Sequence, residues 1–362
     1  MKILHVITSL RTGGAEKLMV DLLPRLKAKD LDVDLLLFDG TDTPFRREVE
    51  TAGIKVFDLG IGGSVYSPLR LIRLLPFMRK YDVVHTHNTA PQMFAALCRI
   101  FSKTKLVTTE HNTSNRRRAW KWYASIDRWM YGRYRKVICI SKKAEDNLRS
   151  FIQDQSTKIL TINNGVDVDK YAGANPSPEL EQLAPGSRKL IMVAGFRPQK
   201  DQDTLIHALS LLPDKFHLFL VGDGVRRPEL EALTKELALD DRVHFLGLRT
   251  DVAELLHAAD YVVMSSHFEG LSLSSVEGMA VGRPMLASDV DGLREVVGGA
   301  GILFPHSDSK ALATEIISLE ASPEKYNTFA AACFRNARRY DISVMAEQYA
   351  KCVCKMLLES IE

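Results

Sequence analysis

Two glutamates in a loop rich in glycine and serine could bind the hydroxyl groups and phosphates of a polar ligand. The segment 265–280 reads S-S-H-F-E-G-L-S-L-S-S-V-E-G-M-A, with Glu269 before a short helical pattern and Glu277 within it. Amides at the start of a helix bind phosphate or sugar oxygens, and carboxylates accept hydrogen bonds from hydroxyl groups. As a glycosidase pair, the carboxylates would lie about 12 Å apart along a helix, beyond the roughly 5–9.5 Å that such enzymes use. The pattern therefore favours binding.

Two cationic side chains precede another predicted helix, where they could bind a diphosphate. A predicted strand is followed by R-P-Q-K (197–200), in which Arg197 and Lys200 are the cations, and Asp201 or Asp203 then caps the helix. A point charge and a helix N-terminus attract the same anion, so their effects add. The next predicted strand ends at Gly222 and Asp223, in a second loop where the backbone can approach a ligand closely.

The first predicted strand ends in a glycine turn, G-G-A-E over 13–16, that leads into a helical pattern. Adjacent glycines permit a tight turn, and the helix amides behind them face any anion placed there. The turn is not the G-x-G-x-x-G dinucleotide fingerprint. An anion site that includes Gly14 and a turn without a ligand both remain open.

Three histidines lie at the predicted ends of strands. His111 follows the strand 105–109, while His85 and His87 share one face of another strand. The spacing of that pair is compatible with metal ligation, but hydrogen-bonded histidines explain it better because no third ligand is evident nearby. Asp-x-Asp pairs, which can mark a metal site, are interpreted as caps and loop residues: 32/34, 167/169, 201/203 and 289/291.

The fold that positions these loops is predicted to be of the α/β class. Short apolar runs alternate with longer amphipathic ones, which indicates parallel sheets covered by helices on both faces, with ligands at the carboxyl ends of the strands. We predict domains over 1–168 and 169–340, joined by a linker within 167–189, and a C-terminal helix over 341–362 that packs back on the first domain. The predicted strands are Ile3–Thr8, Val33–Phe38, Ile54–Leu59, Val83–Thr86, Lys105–Thr109, Val137–Ile140, Ile159–Ile162, Leu190–Ala194, His217–Val221, Val243–Leu246, Tyr261–Met264, Pro284–Ser288 and Ile302–Phe304.

The ordered set of motifs resembles glycosyltransferase family 4, the large retaining family with the GT-B fold. E-G-L-S-L-S-S-V-E-G-M-A-V-G-R-P from Glu269 carries the closest resemblance. Other similar segments are G-G-A-E (13–16), T-E-H-N (109–112), I-S (140–141), N-N-G-V-D (163–167), P-Q-K-D (198–201), G-D-G (222–224) and D-G-L-R-E (291–295). The resemblance spans nearly the whole chain. It implies two Rossmann-like domains that face a central cleft, a nucleotide-sugar donor, and transfer without a metal or other cofactor.

The resemblance also implies residue roles. Glu277 binds the nucleotide ribose, Glu269 meets the donor sugar, and His111 faces the transferred sugar. The predicted catalytic residues are thus His111 and Glu269. The predicted donor-binding residues are Gly14, Arg197, Lys200, Gly222, Asp223, Gly270, Leu271, Ser272, Leu273 and Glu277. One departure is Gly195, where the family commonly has an arginine five residues before the phosphate lysine, so Arg197 is expected to replace it.

Composition excludes some partners. The 48 basic residues nearly balance the 45 acidic ones, which argues against nucleic-acid binding by bulk charge. Five cysteines without a C-x-x-C pair, no signal-peptide pattern and no long apolar run predict a cytoplasmic protein. The segment Arg116–Lys136 interleaves basic and aromatic residues, which suits peripheral contact with an anionic membrane. The same segment could instead be a surface helix with inward tryptophans, or a site for a phosphate-bearing acceptor.

Together with these observations, the resemblance to family 4 implies a hexosyltransferase that moves a sugar from a UDP-type or GDP-type donor to a glycan or lipid-linked acceptor, in cell-surface polysaccharide biosynthesis. A nicotinamide-dependent oxidoreductase competes with this prediction, because Asp39 lies some 25 residues after Gly14, where a ribose-binding acid would be. A sugar-nucleotide epimerase and a non-catalytic nucleotide-sugar sensor are also compatible with the sequence.

Overall fold

The computed structural model describes residues 1–11, 13–111, 120 and 123–358. The chain divides into two compact units, Met1–Asn164 with Ile342–Glu362, and Gly165–Asp341. Each unit contains one parallel β-sheet with helices packed on it.

Unit 1 is built on a seven-stranded sheet in the order β3-β2-β1-β4-β5-β6-β7. Its strands are β1 Lys2–Ile7, β2 Asp32–Leu37, β3 Lys55–Asp58, β4 Val83–His87, β5 Lys105–Glu110, β6 Lys136–Cys139 and β7 Ile159–Thr161. Its helices are α1 Gly14–Lys27, α2 Pro44–Thr51, α3 Pro68–Met78, α4 Thr89–Cys98, α5 Tyr123–Gly132, α6 Lys142–Ile152 and, from the end of the chain, α16 Ile342–Leu358, with a 3-10 turn at Arg99–Phe101.

The C-terminal helix packs on unit 1 through one apolar face. Its buried side chains recur at helical spacing of three and four residues, which places them on a single stripe. They join the core under α1 and β1, and each large side chain buried there contributes roughly 1.5–3 kcal/mol. The residues are Ile342, Met345, Ala346, Tyr349, Val353 and Met356.

Unit 2 has a six-stranded sheet in the order β10-β9-β8-β11-β12-β13. Its strands are β8 Arg188–Val193, β9 Phe216–Val221, β10 Val243–Gly247, β11 Tyr261–Met264, β12 Met285–Ser288 and β13 Ile302–Phe304. Its helices are α7 Val168–Ala172, α8 Glu179–Leu183, α9 Gln202–Ser210, α10 Arg227–Glu236, α11 Val252–Ala258, α12 Leu273–Ala280, α13 Asp291–Val297, α14 Ser309–Ala321 and α15 Pro323–Ala337, with 3-10 turns at Pro198–Lys200 and Arg338–Tyr340.

The predicted fold class is confirmed, since the thirteen strands of the described residues match the predicted ones closely. The division between units falls at Asn164 rather than at residue 168. Backbone hydrogen bonds explain this position: the Asn164 amide donates to Ile140 in unit 1, whereas the Val166 amide donates to Tyr340 in unit 2. The segment predicted as a linker contains α7 and α8. Within the described part of the chain, no helix is both long and apolar enough to cross a membrane.

Candidate functional site

Both sheets reverse their direction of strand addition next to their first strand. The chain leaves β1 toward β2 on one side and later adds β4 on the other, and β8, β9 and β11 repeat this arrangement. The loops after the two central strands then diverge and leave a crevice at the carboxyl edge of the sheet. In unit 1 these loops hold Gly14 and Asn88, and in unit 2 they hold Lys200 and Glu269.

A pocket of about 380 Å³ occupies this edge of unit 1. Two residues predicted from the sequence, Gly14 and His111, both line it. Among the described residues, apart from the chain neighbours and the helix's own backbone, no atom lies within 4 Å of a methyl group added at Gly14, so the glycine leaves open space at the start of α1. The lining residues are Gly14, Ala15, Glu16, Asn88, Thr89, Gln92, Thr109, Glu110, His111, Ile140 and Asn164.

A chain of histidines runs from this pocket into the core. His111 Nε2 lies 3.0 Å from His87 Nδ1, and His87 Nε2 lies 3.1 Å from His5 Nδ1. A neutral imidazole has one donor and one acceptor nitrogen, so each hydrogen bond restricts the tautomer of its neighbour. The tautomer of His111 is therefore coupled to those of two buried residues.

Burial keeps these histidines uncharged. It lowers the pKa of His111 to about 4 and the pKa of His5 to about 3. Burial also lowers the pKa of His87 far below its usual value, with further lowering from the neighbouring histidines. At neutral pH, His111 can thus exchange hydrogen bonds with a ligand without carrying a positive charge.

Helix α16 packs against the histidine cluster through Tyr349. The Tyr349 ring stacks on His85 with 5.6 Å between ring centroids, and its hydroxyl lies 3.1 Å from Thr109 Oγ1. Thr109 Oγ1 in turn lies 2.8 Å from His85 Nε2. His85 and His87 are fully buried. The prediction that these two are hydrogen-bonded histidines agrees with these contacts, although the sequence analysis missed His5, which pairs with His85 across the sheet.

The pocket also contains polar side chains to which the sequence analysis assigned no role. Asn88 has a positive φ of 68°, and its amide nitrogen lies 3.4 Å from a Glu16 carboxylate oxygen. The side-chain oxygens of Asn88 and Asn164 are buried and accept no hydrogen bond from the described residues. Such acceptors suit a ligand rich in hydroxyl groups. An asparagine directly after a β-strand and before a helix was the available signal.

In unit 2, Lys200 and Glu269 form an ion pair. Lys200 Nζ lies 2.5 Å from Glu269 Oε1, and their side chains are 18% and 9% exposed. The Ser266 hydroxyl donates to the same carboxylate at 2.7 Å. The sequence assigned Lys200 to a phosphate and Glu269 to a sugar, and the fold brings both side chains together because β8 and β11 are adjacent.

The helix after Glu269 begins at Leu273, and Glu277 lies within it as the sequence predicted. Ser272 caps α12 by accepting a hydrogen bond from the Ser275 amide. Gly270 and Leu271 form the preceding loop and Leu273 is the first helical residue, while Glu277 lies half-buried within the helix. The backbone carbonyls of Glu269 and Gly270 lie where a side chain at Gly292 would be, so only glycine permits α13 to pack against this loop.

The remaining predicted donor residues lie on neighbouring loops. Gly222 has a φ of 135°, and a side chain there would collide with the carbonyl of Ala194. Asp223 accepts from the Gly224 amide at 2.7 Å. Arg197 is exposed, and its guanidinium makes no hydrogen bond or ion pair with the residues that the structure describes. It is therefore available to an anion.

Two other sequence interpretations concern Asp39, as a ribose-binding acid, and the basic-aromatic segment 116–136. The Asp39 carboxylate accepts from Arg11 Nη2 at 3.1 Å, from the Thr41 hydroxyl at 2.8 Å and from the Gly62 amide at 3.2 Å. These hydrogen bonds occupy the carboxylate oxygens that a ribose hydroxyl would need.

In the basic-aromatic segment, residues 112–119, 121 and 122 lie outside the described residues, while Trp129 is partly exposed and stacks with Arg133 at 5.2 Å.

Comparison with known proteins identifies relatives of both units. The family model described as Glycosyltransferase Family 4 matches residues 12–170, and the one described as Glycosyl transferases group 1 matches residues 187–322. The D-inositol 3-phosphate glycosyltransferase of Xylanimonas cellulosilytica is 31% identical over 288 residues, which are 72% of this chain and 68% of that protein.

Two further proteins are similar over a larger share of the chain. The Escherichia coli protein named UDP-Gal:alpha-D-GlcNAc-diphosphoundecaprenol alpha-1,3-galactosyltransferase is 25% identical over 314 residues, 81% of this chain and 80% of its own length. The crystal structure of Anabaena Alr3699/HepE in complex with UDP and glucose is 25% identical, with a TM-score of 0.81 over 98% of this chain and 100% of that one.

Proposed function

Because the chain belongs to glycosyltransferase family 4, with the GT-B fold, we propose that it transfers a sugar from a UDP-sugar or GDP-sugar donor to a glycan or lipid-linked acceptor. Anabaena HepE binds UDP and glucose, and the Escherichia coli relative is named for UDP-galactose and a diphosphoundecaprenol acceptor. By analogy, the product belongs to cell-surface polysaccharide biosynthesis. An oxidoreductase function does not fit a chain of this family.

The observation that carries this proposal is the Lys200–Glu269 pair beside the start of α12. Lys200 binds the donor diphosphate, and the exposed Arg197 adds a second cation. The amides of residues 270–273 bind phosphate and sugar oxygens, because a helix N-terminus carries unpaired donors and partial positive charge. Gly222 and Asp223 border the same site, Glu277 binds the ribose, and Glu269 orients the sugar.

The proposed acceptor reaction is the one that the resemblance to the retaining family implies. Transfer with retention at the anomeric carbon places the departing phosphate on the side from which the acceptor hydroxyl attacks, so that phosphate takes the hydroxyl proton. The protein contributes positioning and stabilisation of the leaving diphosphate. His111 and the polar groups of the unit 1 pocket bind hydroxyl groups of the reacting sugars, and Gly14 leaves space for the donor at the start of α1. Lys200 and helix amides replace a metal at the diphosphate.

A binding screen followed by product analysis tests the proposal. UDP-sugars and GDP-sugars are screened for thermal stabilisation of the full chain, and each binder is incubated with lipid-linked saccharide acceptors after treatment with EDTA. We expect one nucleotide class to bind, and the glycosidic product, examined by NMR, to keep the donor's anomeric configuration. Inversion would disprove retention, and activity that needs added Mn²⁺ or Mg²⁺ would disprove the metal-independent scheme.

A further inference from the structure

Three loops of unit 2 bring two histidines and an aspartate together outside the groups assigned to the donor. Asp201 follows the 3-10 turn after β8, His267 follows β11, and His306 follows β13. His267 Nδ1 lies 2.7 Å from His306 Nε2 and 3.5 Å from Asp201 Oδ2. One ligand atom from each residue lies within 4.8 Å of the other two.

This combination is a ligand set for a transition metal. Two imidazole nitrogens and one carboxylate oxygen form the three-residue set of several zinc sites, in which water takes the remaining position. Zinc bonds to these atoms at about 2.0–2.2 Å, so its ligands lie roughly 3–3.5 Å apart. The distances from His267 Nδ1 to the other two ligand atoms, 2.7 and 3.5 Å, are close to that range. All three ligand atoms lie within 4.8 Å of one another, so small side-chain movements would bring them around one ion.

Hydrogen bonds from neighbouring residues orient the Asp201 carboxylate. Asp201 is nearly buried, and its oxygens accept from the Thr204 amide at 3.3 Å and from the Thr204 hydroxyl at 2.7 Å. The backbone amide of His267 donates to the Gln199 carbonyl at 2.8 Å, which restrains its loop. Outer-shell hydrogen bonds of this kind orient metal ligands. Ser307 Oγ lies within 3.5 Å of both Asp201 Oδ2 and His306 Nε2.

The cluster is also open to solvent. The His267 side chain is 41% exposed and His306 is exposed, so an ion can reach their nitrogens without rearrangement of the core. This differs from the set His5, His85 and His87 in unit 1, which also has converging ligand atoms but is completely buried. A hydrogen bond between His267 and His306 does not explain why the Asp201 carboxylate also lies beside them, whereas a bound metal ion does.

We propose that Asp201, His267 and His306 form a binding site for a zinc-type divalent transition-metal ion. The bound ion crosslinks three loops at one edge of the sheet, two of which also carry Lys200 and Glu269. Its role is to stabilise these loops, and it takes no part in sugar transfer. The inference is independent of the proposed function, because it concerns the protein without donor.

Calorimetric titration of metal-free protein with ZnCl₂ tests the site. The background carries Cys352→Ser and Cys354→Ser, because these two cysteines could bind zinc themselves. We expect one zinc ion per chain and a loss of affinity of at least 10-fold in His267→Ala and in His306→Ala. Asp201→Asn, which keeps the helix cap, should weaken binding similarly. His207→Ala, an exposed histidine on α9, is the matched control and should bind zinc normally.

Stabilisation provides a second measurement. Zinc should raise the thermal unfolding midpoint of the background protein and of His207→Ala, and should not raise that of His267→Ala or His306→Ala. Absence of stoichiometric binding overturns the proposal, as does equal affinity in the background protein and both histidine variants. Either result would leave UDP or GDP binding unaffected, so it would not count against the proposed transferase activity.

Discussion

The pocket of unit 1 and the loops of unit 2 that carry Lys200 and Glu269 occupy the same topological position but present different side chains. In unit 1, His111 lines the pocket and His87 lies behind it, and both imidazoles remain neutral because desolvation lowers their pKa. In unit 2, a partly exposed Lys200 pairs with Glu269 beside backbone amides. The strand order determines where a ligand can bind in each unit, whereas the side chains determine which chemical groups can bind there. Neutral groups suit sugar hydroxyls, and cations and amides suit a diphosphate.

The largest expected effect is the loss of turnover in His111→Ala. If the neutral imidazole acts on the transferred sugar, its removal should lower turnover by roughly 10²-fold or more, within the range seen for positioned catalytic side chains. Affinity for UDP or GDP should stay within about twofold, because the proposed nucleotide site is in unit 2. Steady-state kinetics and calorimetry measure the two quantities. A variant whose main defect is nucleotide affinity would show that the two regions do not divide the substrate in this way.

Lys200→Ala should instead lower affinity for the nucleoside diphosphate. Hydrogen bonds to charged groups contribute about 1.5–3 kcal/mol, so affinity for the nucleoside diphosphate should fall roughly 10-fold to 100-fold. Affinity for the matching nucleoside should be unchanged, since it has no phosphate. Lys235→Ala, an exposed lysine on α10, serves as the control. Equal losses for nucleoside and nucleoside diphosphate would indicate that Lys200 acts through the structure of the loop.

Acid should destabilise unit 1 through its histidines. In the unfolded chain, histidine side chains have a pKa near 6.5, whereas in the folded protein the pKa is about 4 for His111 and about 3 for His5. The unfolded state thus binds more protons between these values, and the free energy of unfolding falls as pH decreases through this window, by up to about 1.4 kcal/mol per pH unit for each histidine.

Urea unfolding between pH 7.5 and 5.0 measures this dependence. His5→Asn should show a shallower decrease in unfolding free energy than the wild-type chain, whatever its stability at pH 7.5. His207→Ala should keep the wild-type slope, because this exposed histidine lies outside the buried cluster. An unchanged slope in His5→Asn would show that the buried histidine does not contribute to the pH dependence.

The smallest expected effect concerns the packing behind Glu269. Gly292→Ala would force the backbone of residues 269 and 270 to move, so donor affinity should fall several-fold, with less effect on nucleoside binding. Gly132→Ala, where an added methyl group meets no neighbour, should leave both affinities unchanged. Nucleotide titrations of the two variants measure the difference. Normal donor affinity in Gly292→Ala would mean that the loop position is unimportant for binding.

The fold class and the strands could be predicted from the amino-acid sequence alone, and the candidate donor residues remain predictions made from it. Periodicity identifies buried strands because parallel strands covered on both faces are continuously apolar, and glycine-rich loops and helix caps have local signals. Ser272 was predicted within the donor loop, and the cap that it forms depends on residues three positions apart. Such features involve neighbours in the chain, so one sequence is sufficient to predict them.

Which distant residues meet could be learned only from the folded chain. The Lys200–Glu269 pair spans 69 positions, the contact between His5 and His87 spans 82, and Tyr349 reaches Thr109 across 240. These contacts follow from strand order and from the return of α16 to unit 1, because side chains on adjacent strand ends are neighbours whatever their separation in the chain. The same order brings Asp201, His267 and His306 together, although each residue alone resembles an ordinary loop position.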